Sequence, residues 1–159
     1  MKEALIKTAS ELIVPDTEAV QAFITQRDAL CRECSARLEK REDLDKLIGA
    51  GNLDMARDNN RNFARFMEST FSDFEPQLLV HTVLWVFEAY RSHGFKTTYW
   101  SANLNIWVDE LKRLMPEEAF TQIYPFYHWI IVHIPVFTQL TDETLSDTDY
   151  KDSIKNAHN

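Results

Sequence analysis

Only three glycines, Gly49, Gly51 and Gly94, occur in 159 residues, and with five prolines they make up about half the usual share of turn-forming residues. A β-sandwich needs a tight turn every few residues, and a doubly wound α/β fold needs glycine loops to cradle phosphates, so neither can be built from three glycines at these positions. The chain is expected to be all-α, a single-domain irregular bundle of six to seven helices joined by short connections. A hydrophobic content of 45% with 26% charged residues fits one core, assigned to residues 1–140. Residues 141–159 are polar and acidic and read as a flexible tail.

Spacing and capping residues place the helices. A short one covers residues 2–13. A second runs from 17 to about 40, capped by Asp16 or Thr17, with Val20, Ile24, Cys31, Cys34 and Leu38 on one stripe. Residues 42–48 form a brief helix ended by the corner Gly49-Ala50-Gly51. From 53 to 74, apolar residues recur at three and four, with Asn60 on the same face. Residues 76–93, opened by Pro76 and closed by Gly94, carry apolar side chains on every side and read as the central buried helix, so truncating Trp85 should cost about 3–5 kcal/mol. A helix capped by Thr97 or Thr98 runs to 115 with Trp100, Leu104, Trp107 and Leu111 inward. Pro116 opens the last one, which Pro125 should kink or split and Pro135 stop or bend; its segment 126–137 reads as a second buried helix. Globin-like packing is one arrangement such lengths allow.

A formal net charge of -8 disfavours nucleic acid and anionic membranes as partners. No apolar run approaches the ~18 residues that cross a bilayer, and the start lacks the apolar stretch of a secretory signal, so the expected compartment is the cytoplasm. Cys31 and Cys34 have CxxC spacing, but they fall mid-helix on the apolar stripe with no further cysteine to complete a zinc site, and read as core residues. Glu-x-x-His, His-Glu-x-x-His, phosphate-loop and Gly-x-Ser-x-Gly patterns are all absent from the sequence, and no metal ligands are assigned.

Two regions remain as candidate sites. Residues 90–100 gather Arg91, His93 and Lys96 with Tyr99 and Trp100, and no acid occurs from 91 to 108, so this turn is the preferred place for an anionic or planar ligand or for a protein partner. His81, His128 and His133 lie in the two most apolar helices. With Asn60 they form a second candidate, a buried polar site or the axial ligand of a haem; haem is the only cofactor entertained.

The leading functional expectation is a non-enzymatic sensor or regulatory module that binds a small molecule or a partner protein. A haem or tetrapyrrole sensor is the alternative, and a third reading is an enzyme that assembles His81, His93, Tyr99 and Tyr124 only in three dimensions. A homodimer is also expected, through the first helix and the stripe Val20, Ile24, Cys31 and Leu38.

Overall fold

The computed structural model describes the backbone of residues 1–157 and the side chains of residues 1–146. Among these residues all regular structure is helical: α1 (Lys2–Ala9), α2 (Thr17–Glu39), α3 (Leu44–Ile48), α4 (Leu53–Ser72), α5 (Pro76–Ser92), α6 (Thr97–Leu114) and α7 (Glu117–Ala157). The sequence expectation of an all-α bundle is met. No helix of the described chain is long and apolar enough to cross a membrane.

The centre is the trio α2, α6 and α7, each packed on the other two. Helix α4 lies on α2, α5 lies on α7 and α1, and α3 lies on α6. The expectation that residues 76–93 form the central helix is therefore corrected. Leu79, Val80, Val83, Phe87 and Tyr90 face the core, but Leu78 and Trp85 are 52% and 66% exposed, and His81 between them is exposed too. An all-round apolar sequence buries only the side that meets a neighbour, and α5 sits at the edge. The fully buried large side chains come mostly from elsewhere, among them Trp107 on α6 and Phe126, Tyr127 and Phe137 on α7.

Helix α2 starts where Asp16 Oδ1 accepts the Ala19 amide at 2.8 Å. Gln122 holds the same residue from α7, accepting the Asp16 amide at 2.8 Å and donating to Oδ2 at 3.1 Å. The Ala19 amide and Gln122 together hold the Asp16 carboxyl below its ordinary range. The stripe proposed as a dimer seam is mostly spent inside the chain: Leu38 is buried, and Val20, Ile24 and Cys31 are half-buried on a helix that already meets three others. Both thiols are free, as expected of core residues, and burial pushes both above their ordinary range.

Neither proline splits α7. Pro125 and Pro135 are exposed, so the carbonyls they leave without an amide partner can be hydrated while the helix continues. It continues through the start of the expected flexible tail. Thr141 is buried and Asp142 pairs with Arg91, so the segment is docked there; side chains beyond Ser146 lie outside the described residues. Helix α6 also differs from expectation at its start, where Lys96 is the N-cap and no side chain caps it.

The glycines make two corners, and the corners meet. All three have positive φ, and a Cβ on Gly49 would come within 3.2 Å of Asn52 Nδ2 and 3.4 Å of the Gly94 carbonyl. Asn52 Nδ2 donates to the carbonyls of Ile48 (2.7 Å) and His93 (2.8 Å), and the Lys96 amide donates to the Leu47 carbonyl at 2.8 Å. The start of α4 is thereby tied to the end of α5.

Trp85→Ala should cost less than about 1 kcal/mol, whereas Trp107→Ala, at 0% exposure, should cost at least about 3–5 kcal/mol. Urea denaturation followed by circular dichroism measures both. Equal losses would contradict the placement of α5 at the edge.

Candidate functional site

Helices α4 and α5 are joined at both ends, by residues 73–75 at one and by the Asn52 bond to His93 at the other, and their backbones scarcely touch between. The gap is a cleft of about 510 Å³. Met55, Phe63 and Phe66 line it from α4, Val83, Val86 and Phe87 from α5, Trp100, Asn103 and Leu104 from α6, and Ile130 from α7. Phe87 stacks on Trp100 with centroids 4.4 Å apart and planes 13° apart, which gives the floor a flat aromatic face. Asn62, Trp85 and His93 are the exposed lining residues and mark the mouth.

Beneath the cleft runs a buried polar network whose polarity is set by chemistry. Trp107 Nε1–H can only donate, and it donates to Asn60 at 3.0 Å, so the Asn60 atom it meets is Oδ1. Asn60 Nδ2 must then donate to Ser35 Oγ, at 3.1 Å. The Asn103 atom facing Asn60 Oδ1 must be its Nδ2, at 2.8 Å, which leaves Asn103 Oδ1 as an acceptor without a partner. Trp100 Nε1, one turn earlier on the same face of α6, is a buried donor without a partner. Two cleft-lining residues thus carry one unmatched acceptor and one unmatched donor. The third such atom among the described residues, Tyr127 Oη, does not line the cleft. Asn59 Nδ2 donates to Tyr99 Oη at 2.7 Å, and burial raises the Tyr99 phenol above its ordinary range.

The five residues of the proposed basic turn are dispersed. Arg91 reaches α7, donating to the Thr138 carbonyl (3.1 Å), Thr141 Oγ1 (2.8 Å) and Asp142 (2.5 Å), so its charge is neutralised rather than offered to a ligand. Sequence reasoning counted acids only from 91 to 108 and missed one 51 positions away. His93 stands at the cleft mouth, its Nδ1 donating to the Ala89 carbonyl at 2.8 Å. Lys96 is exposed on a different groove, Tyr99 is wholly buried, and Trp100 forms the cleft floor.

Of the second group, Asn60 is buried and is the hub of the network. The histidines are not buried. His81 and His128 are exposed, and His133 is half-buried with Nδ1 on the Trp129 carbonyl at 2.6 Å. They sit on the outward sides of α5 and α7, which amphipathic packing turned away from the core; among the described residues His93 is the one imidazole that lines the cleft. No hydrogen bond joins any two of His81, His93, Tyr99 and Tyr124; Tyr124 Oη instead meets His128 Nδ1 at 3.3 Å. Among the described residues no cluster of His, Cys, Asp and Glu could hold a metal ion.

Asn103 and Asn59 were missed. The signal for Asn103 was present, because it lies three residues after Trp100 and four before Trp107, on the apolar stripe itself. No protein family, curated protein or solved structure matches the chain.

Asn60→Leu should destabilise by about 2–5 kcal/mol, because it strands the buried Trp107 indole N–H and the Asn103 amide together. Chemical denaturation measures it, and a loss below about 1 kcal/mol would mean that the network does not hold these helices.

Proposed function

We propose that the chain is a binding module that takes up one small, uncharged, largely aromatic molecule in the cleft between α4 and α5. The observation that carries this reading is a cleft of about 510 Å³ whose walls are mostly aromatic and aliphatic. That volume lies in the range of small-molecule sites. Among the described residues no Asp, Glu, Lys or Arg lines the cleft, so a charged ligand would lose its hydration without gaining a counter-charge. Asn103 Oδ1 and Trp100 Nε1 are closed to solvent as well as unmatched, so a ligand edge that both donates and accepts a hydrogen bond, such as a phenol, a lactam or an amide, pairs with them once these side chains turn toward the cleft.

Naphthalene and 2-naphthol, titrated against intrinsic tryptophan fluorescence, test the reading. Both should bind saturably, with 2-naphthol tighter by roughly 2–12-fold, the worth of one net hydrogen bond. Val86→Trp, which fills the cleft from a half-buried position, should weaken both by at least about tenfold with the helical signal retained. Absence of saturable binding, or binding unaffected by Val86→Trp, would overturn the proposal.

A further inference from the structure

The opposite side of α4 carries a second site of different chemistry. Arg57, Arg61 and Arg65 recur at i, i+4 and i+8 and share one edge of α4; with Arg27 and Arg32 of α2 they line a groove of about 520 Å³. Cys31, Ser35 and Ala36 also line it, and the acids in its lining are Asp28 and Glu39. Three of the five arginines have carboxylate partners: Arg27 with Glu68 (2.5 Å) and Asp28 (3.4 Å), Arg57 with Glu39 and Asp54, and Arg61 with Asp58. Among the described residues Arg32 and Arg65 have no ion-pair partner. Two unneutralised guanidinium groups therefore line one groove of a chain whose net charge is -8.

The polar network reaches this groove at Ser35. Because the Trp107 indole forces Asn60 to present its NH₂ to Ser35, the Ser35 hydroxyl is an acceptor there, and its own proton has no acceptor among the described residues. The groove thus combines a hydroxyl donor with forked guanidinium donors, the set that suits the tetrahedral oxygens of a phosphate group. The field is felt in the groove lining: burial and Asp28 raise the Cys31 thiol, while Arg27, Arg61 and Arg65 oppose them.

We propose that the α2/α4 groove binds a small phosphate-bearing anion, held by Arg32, Arg65 and the Ser35 hydroxyl. Compactness follows from charge. A long polyanion would have to lie across the acidic remainder of the surface, whereas a mono- or diphosphate group fits within the groove.

Isothermal titration with inorganic pyrophosphate at low ionic strength, on the full chain, tests this. Saturable one-to-one binding is expected, weakened about tenfold or more by Arg32→Gln and by Arg65→Gln, both exposed positions that should leave the fold intact. Ser35→Ala should weaken it about threefold or more, with circular dichroism confirming the fold. Lys112→Gln, an exposed cation on α6 outside the groove, should change it by less than about twofold. The proposal is overturned if pyrophosphate does not saturate, if Lys112→Gln weakens binding as much as the groove variants, or if a single-stranded oligonucleotide binds more tightly than pyrophosphate.

Discussion

One hydrogen bond, from the Trp107 indole to Asn60 Oδ1, sets the direction of the contacts that join Ser35, Asn60 and Asn103 across three helices. An amide side chain can turn either way, and each orientation would suit a hydroxyl neighbour such as Ser35; an indole N–H accepts nothing and removes the choice. With Asn60 fixed, Ser35 on α2 and Asn103 on α6 are fixed in turn. Cys31 adds a thiol contact to the Asn60 carbonyl at 3.6 Å. Three helices are thereby locked in rotation as well as in distance, which apolar packing alone does less sharply because it has no preferred direction.

The cleft follows from how the helices divide their partners. Helix α4 is committed to α2 through the Asn60 bonds and the Arg27–Glu68 and Arg57–Glu39 pairs, and α5 is committed to α1 and α7. The connection through 73–75 and the Asn52 bond to His93 hold the ends of α4 and α5 together, so the pair can part only in the middle. Phe63 turns its ring edge-on to Trp107 and Tyr127 at 5.4 and 5.6 Å rather than reaching across to α5. The apolar residues beside it are left to line a space.

Helix number, the two glycine corners and the burial of Cys34 and Trp107 were legible in the sequence, because they depend on local spacing and capping that a single helix reveals. Trp85 and the histidines were not. Whether an apolar turn faces in or out depends on which neighbours surround the helix, and α5 reads the same from sequence at the edge of a bundle as at its centre. Arg91 failed for the same reason, since its counter-ion Asp142 comes from the far end of the chain. The arginine row at 57, 61 and 65 was visible as helical spacing. Its significance arose only when Arg27 and Arg32 were brought beside it by the packing of α2 on α4.

Helix α4 divides the two grooves. Met55, Asn59, Asn62, Phe63 and Phe66 face the aromatic cleft, and Arg57, Arg61 and Arg65 face the basic groove, with Asn60 between them. A path of two hydrogen bonds, Ser35–Asn60–Asn103, connects one lining to the other. Such a path could carry a signal only if it had a second arrangement of similar energy for an occupant to favour. Turning the Asn60 amide over would set its NH₂ against the Trp107 N–H, donor facing donor in a dry interior, and even with the Asn103 amide turned in step that lost pairing costs about 1–3 kcal/mol. The network therefore favours one arrangement, which holds the Ser35 and Asn103 side chains on either side of Asn60 each in one orientation.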